Sequence, residues 1–246
     1  MSAPPASDAT PQAVEVRGLY RLFGDRPALR GLELSVASGE FLTIFGPNGA
    51  GKSTLIKILA TLTRPSRGYV SVLGAELGTE RGQAVRARIG LMGHLSYVYL
   101  GLTGMENLVF YARMYGVLQP HRRARQLLEE LDLADRGDDL VRTYSRGMLQ
   151  RLSAARALVQ DPDLLLLDEP FTGLDPSAAE LLSQLLRRMH SRGRTVLLTT
   201  HDLALGRTLC TRFLILVRGR VALDSTPAEV GAQRMEALYH ECTRDA

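Results

Sequence analysis

Two cysteines, Cys210 and Cys242, are all that the 246-residue sequence contains. They form neither a disulfide framework nor a metal-ligand spacing, so they read as ordinary residues of a reducing compartment. Long apolar runs are missing too. "LLLL" at 164–167 and "FLILV" at 213–217 are strand-sized, and nothing approaches a bilayer-crossing length. No internal repeat appears, which argues against a solenoid or a tandem duplication. The net charge of +4 is scattered rather than gathered into blocks. It gives nucleic-acid binding no support, and no such partner is expected. Lysine is nearly absent: of thirty basic residues only Lys52 and Lys57 are lysines. A lysine kept against that bias points to chemistry that arginine serves poorly.

What is present suffices for one substantial α/β core, with 45% of residues hydrophobic. The polar, Pro-, Ser- and Ala-rich stretch 1–12 lacks the apolar centre of a signal peptide and is expected to be a disordered leader. Residues 13–19 and 30–36 predict short strands around a turn at "FGDRPA". "EFLTIFG" (40–46) is a strand entering a glycine-rich loop, and "KSTLIKILATL" follows as a helix. "YVSVLG" and "RIGLMG" are further strands, and 103–160 is a helical block of three segments, "LTGMENLVFYARMYGV", "RRARQLLEELDL" and "YSRGMLQRLSAARAL". Beyond it come strand 164–168, helix 177–191, strand 195–200, helix 202–210, strands 213–218 and 220–223, and a terminal helical segment. Such alternation predicts a largely parallel sheet covered on both faces, with the helical block inserted as a subdomain.

"GPNGAGKST" places Gly46, Pro47, Asn48, Gly49, Ala50, Gly51, Lys52, Ser53 and Thr54 between a strand and a helix. This is the phosphate-binding loop pattern G-x-x-x-x-G-K-[ST] in its required context. Its glycines let successive N–H groups converge on phosphate oxygens. Lys52 supplies a compact cation for the β- and γ-phosphates, and Ser53 a hydroxyl for Mg²⁺. "LLLLDEP" (164–170) ends a leucine strand in two carboxylates, at the sheet edge where ligands of parallel sheets bind. Asp168 is expected to hold Mg²⁺, and Glu169 to accept a proton from the attacking water or to align it. His201, in "LLTTHD", falls at the same edge, facing the γ-phosphate or the attacking water. A lone histidine there is otherwise a structural hydrogen-bonder.

"YSRGM" (144–148) opens a helix whose apolar stripe, Leu152, Ala155 and Leu158, begins from Gln150. A helix start suits an anion. The phosphate loop, "YSRGM", "LLLLDEP", "TGLDP" and "THD", in that order, resemble the ATP-binding subunits of ABC transporters over about residues 13–225. The resemblance implies an α/β P-loop NTPase with a mostly parallel core sheet, an antiparallel β subdomain and a helical subdomain inserted at about 95–160. A C-terminal helical segment, 226–246, follows. It implies ATP and Mg²⁺ as ligands, ATP hydrolysis, a second ATP-binding subunit (a homodimer) and integral membrane partners. The site of action is the cytoplasmic face of the inner membrane. Ser145 and Gly147 are implied to bind the γ-phosphate of ATP held by the other subunit's loop. Phe23 matches the aromatic that stacks on adenine, with Tyr20 a weaker candidate and core packing the competing explanation. Asp175 matches a loop aspartate of the dimer interface, or else caps the helix that starts at Pro176.

Two positions depart from the family pattern. Arg146 and Met148 replace the third and fifth residues of L-S-G-G-Q, and His94 stands in place of a glutamine. Imidazole is a poor ligand for a hard cation, so His94 receives no metal role. Tyr97, Tyr99, Leu100 and Leu102 cluster where the family receives short helices of its membrane subunits, unless they pack inside the helical subdomain. "YSRGMLQR", "DEPFTGLDP" and "GH…YVYLGLTGMENLVFYARMYG" resemble most the haem exporter ATPase of cytochrome c maturation. Drug, lipid and polysaccharide exporters share much of this. A non-transport ATPase acting on ribosome or DNA fits less well, because it would carry two cassettes or long coiled-coil inserts.

Overall fold

A computed structural model describes residues 11–93 and 95–244. Most of the expected leader, and His94, lie outside those residues. Strands β1 (Gln12–Phe23) and β2 (Arg26–Ala37) pair antiparallel. With β4 (Arg67–Val72) and β5 (Ala75–Glu76) they make a four-stranded antiparallel sheet in the order β2-β1-β4-β5. The first two run longer than their alternating stretches predict. Register shifts beside Gly18, whose φ is 55°, break the alternation of faces without ending the pairing.

The second sheet contains β3 (Phe41–Phe45), β6 (Ile89–Met92), β7 (Leu164–Asp168), β8 (Thr195–Thr199), β9 (Arg212–Val217) and β10 (Arg220–Ser225). Its order is β10-β9-β3-β8-β7-β6, and only the β10–β9 pair is antiparallel. The leucines of β7 show why it is buried on both faces. Leu165 and Leu167 pack with helices α3 (Gly104–Met114), α4 (Pro120–Glu130), α5 (Arg146–Leu158) and α6 (Pro176–Ser191). Leu164 and Leu166 pack instead with α1 (Lys52–Leu59) and the antiparallel sheet. The chain also forms α2 (Glu80–Ala84), α7 (Leu203–Leu209) and α8 (Ala232–Thr243).

The three helical segments of 103–160 are helices α3, α4 and α5, joined by loops and short 3₁₀ turns. Thr103 and Glu106 close a capping box at the start of α3. α5 begins at Arg146, four residues before the expected start at Gln150. Ser145 accepts a hydrogen bond from Met148 N at 3.2 Å and so caps the extra turn. Leu152, Ala155 and Leu158 are buried as the stripe predicts. β6 and β7 are neighbours in the sheet although α3, α4 and α5 intervene between them in sequence. No helix among the described residues is long and apolar enough to cross a membrane.

Candidate functional site: a phosphate loop at the sheet edge

Register brings the chemistry together. β8 lies between β3 and β7, with Thr199 opposite both Ile44 and Asp168. The carboxyl ends of these three buried strands therefore share one edge. The loop 46–51 leaves β3 there and delivers Lys52 as the first residue of α1.

The loop's glycines are demanded by their surroundings to different degrees. Gly46 has φ 151°, and a Cβ there would come within 2.2 Å of the Leu216 carbonyl oxygen. Gly51, at φ 107°, would strike the Ala28 carbonyl at 2.6 Å. Gly49, at φ 80°, has open space around it. Gly46→Ala is expected to destabilise the protein by about 3 kcal/mol or more, Gly49→Ala by about 1 kcal/mol, in denaturant unfolding. Equal effects would contradict the packing argument.

Lys52 is 6% exposed. Its Nζ donates to the carbonyls of Gly46 at 2.5 Å and Pro47 at 3.2 Å, and lies 3.8 Å from Glu169 Oε1. Burial pulls its pKa down, and Glu169 and Asp168 oppose that pull. Asp168 Oδ1 accepts from Ser53 Oγ at 3.0 Å and from Thr199 Oγ1 at 2.7 Å. Thr199 received no role from the sequence. The sequence shows only a hydroxyl closing a strand of Val and Leu, and the register of β7 and β8 is what sets it opposite Asp168.

Glu169 follows β7 in the left-handed region at φ 52°, a conformation that costs a non-glycine residue about 1–2 kcal/mol. Its N–H donates to Thr199 O at 3.1 Å, and its Oε2 stands 2.9 Å from His201 Nδ1. The turn thus aims one carboxylate at both Lys52 and the exposed His201.

Pro47, Asn48, Gly49, Ala50, Gly51, Lys52, Ser53 and Thr54, with Phe23, Ala28 and Glu169, line a cleft of about 380 Å³. Gly46 lies outside that lining and touches it through its carbonyl, which accepts from Lys52. The Phe23 ring is 54% exposed, which rules out core packing, and the Arg21 guanidinium carbon sits 4.6 Å from the ring centroid. Tyr20 does not line the cleft; its hydroxyl lies against Gly31.

Ser145, Gly147 and Asp175 do not line the cleft either. Asp175 caps α6 through Ala178 N at 2.8 Å. A Cβ on Gly147 would meet nothing within 4 Å, so this chain's own packing does not require glycine there. Two contacts absent from the sequence reading tie α5 to the loop after β7. Gln150 Nε2 donates to Pro170 O at 2.8 Å, and the Arg146 guanidinium packs against Gly173.

These features fit a nucleoside triphosphate with a hard cation. The loop turns where side chains cannot, the Lys52 ammonium lies in the cleft held by two neutral carbonyls and 3.8 Å from Glu169, and the Ser53 hydroxyl and an Asp168 oxygen converge. The sequence matches the family described as ABC transporter over residues 29–172. The chain belongs to that family as an ATP-binding subunit. This ABC ATPase is 41% identical over 235 residues to the daunorubicin resistance ATP-binding protein DrrA3 of Streptomyces coeruleorubidus, covering 93% of this chain and 74% of that one. It is 38% identical to the Nod factor export ATP-binding protein I of Rhizobium meliloti, covering 91% and 69%. Among solved structures, an ATP-binding subunit of an ABC transporter superimposes with a TM-score of 0.85 at 31% identity, covering 94% and 99%. An ATP-binding cassette solved as a dimer with ADP and Pi gives 0.79 at 27% identity, covering 87% and 98%. The expectation of haem export finds no support in these relatives, whose names speak of drug resistance and Nod factor export.

Proposed function

We propose that this ATPase drives an exporter of drug-like, lipid or polysaccharide cargo, working as a homodimer beneath integral membrane subunits on the cytoplasmic face of the inner membrane. The observation that carries the ATPase reading is the chain of contacts Ser53–Asp168–Thr199 beside Lys52–Glu169–His201. Exporters among the relatives support the cargo class over haem.

In this reading the N–H groups of 46–54 and Lys52 hold the β- and γ-phosphates, and Phe23 stacks on the adenine. Mg²⁺, when bound, neutralises charge across the phosphate oxygens. Ser53 and Asp168 would hold it, with Thr199 fixing the carboxylate. Glu169 takes or orients the proton of the attacking water, and His201 holds Glu169 in place. Ser145 and Gly147 of the second copy close on the γ-phosphate. This is why glycine stands at 147 although nothing in its own chain crowds it. Asp175 faces the same interface while capping α6. Residues 13–225 act as the ATP-binding domain, with 95–160 as its inserted helical subdomain and 226–246 as a C-terminal segment.

The cargo reading is tested on the complex purified from native membranes into liposomes. Amphipathic drugs are expected to stimulate ATP turnover several-fold. Stimulation by haem alone would restore the rejected assignment.

A further inference from the structure

Phe23 closes β1 with its ring open to the cleft, and Arg21, two residues earlier on the same strand, brings its guanidinium carbon to 4.6 Å from the ring centroid. Phe23 lines the cleft and Arg21 does not, so the cation covers the ring face turned away from the cleft. Arg21 is held in that place. Its Nη1 donates to the Arg64 carbonyl at 3.1 Å, and its Nε is buried without a hydrogen-bond partner. The neighbouring backbone is tied to the same turn after α1. Leu22 N donates to Ser66 Oγ at 3.1 Å, and Ser66 N donates to Tyr20 O at 2.8 Å.

A guanidinium is planar and weakly hydrated, so it accepts an aromatic face where it does not make all its hydrogen bonds. The contact does two things for the ring. It fixes a large side chain that would otherwise turn freely at the end of a hairpin strand, which lowers the cost of ordering it on binding. It also draws the π cloud toward the cation, so that the opposite face repels the π cloud of a stacked purine less. Neither effect reaches the phosphates, which face Lys52 and the loop at the other end of the cleft lining.

We propose that Arg21 is a positioning residue for the nucleobase: it backs Phe23, so that the ring lies between the guanidinium and the purine of the bound nucleotide. The inference deepens the reading of Phe23 as the adenine-stacking residue and rests on it. It assigns Arg21 a contribution to ATP affinity that passes through the Phe23 ring and depends on the base rather than on the triphosphate.

Isothermal titration of the complete chain with ATP and with inorganic tripolyphosphate, each with Mg²⁺, tests this in a double-mutant cycle. Arg21→Met is expected to weaken ATP binding by about three- to tenfold. Tripolyphosphate affinity, and turnover at saturating ATP, are expected to stay within about twofold of wild type. In a Phe23→Ala background, itself weaker for ATP, Arg21→Met is expected to add less than about twofold. Wild-type ATP affinity in Arg21→Met overturns the proposal. So does an equal loss for tripolyphosphate, which would make Arg21 a support of the fold or of the phosphate loop, and so does a loss that persists undiminished without the Phe23 ring. Wild-type ATP affinity in Phe23→Ala removes the stacking reading itself, and this inference with it.

Discussion

Glu169→Gln is expected to lower ATP turnover by about 100-fold or more while ATP affinity stays within about twofold of wild type. The side chain stands beside Lys52 and His201 but contributes no atom to the turning backbone of the phosphate loop. Gln keeps the size and one oxygen of Glu169 and removes the basic carboxylate. Its left-handed backbone at φ 52° survives, since the bonds that set it run from the Glu169 N–H to Thr199. Loss of binding alongside turnover would show that Glu169 shapes the cleft rather than the chemistry. With turnover arrested, the ATP-bound form is expected to accumulate as a dimer in size-exclusion chromatography, and ADP is not expected to produce one.

Lys52→Ala is expected to weaken ATP binding by about 10- to 100-fold, the scale of one charge-assisted contact of about 1.5–3 kcal/mol. In this structure the ammonium rests on two loop carbonyls and lies 3.8 Å from Glu169. Phosphate oxygens are stronger partners than neutral carbonyls. Removing the ammonium therefore costs the bound state more than the empty one. Lys52→Arg is expected to recover little, because a planar fork does not fit a pocket that leaves Lys52 6% exposed. Isothermal titration with ATP and Mg²⁺ checks both, and wild-type affinity in Lys52→Ala would remove the residue from the site.

The parts of this site legible in the sequence are those whose residue types announce themselves locally. The glycine-lysine loop, the acids after four leucines and the histidine after two threonines lie beside their own strands, so finding the strands placed them on one edge. The parallel sheet followed from the same strands. Thr199 was hidden because its function depends on register, which sets it opposite Asp168 from 31 residues away. Gln150 and Arg146 were hidden because α5 starts a turn earlier than its apolar stripe, through a cap that the stripe does not encode. Phe23 stayed ambiguous in sequence, since an aromatic closing a strand is compatible with core or surface; its exposure at the cleft decides between them. The narrowing to haem export failed for a different reason. It leaned on "YSRGM" and "DEPF", while the relatives that share this sequence are named for drug resistance and Nod factor export.

Distance between subunits is the most direct measurement. A structure of the Glu169→Gln protein with ATP and Mg²⁺ is expected to show Ser145 Oγ of one subunit within hydrogen-bonding distance of a γ-phosphate oxygen held by Lys52 of the other. Ser145 far from every bound phosphate in the assembled dimer would contradict the shared-nucleotide account.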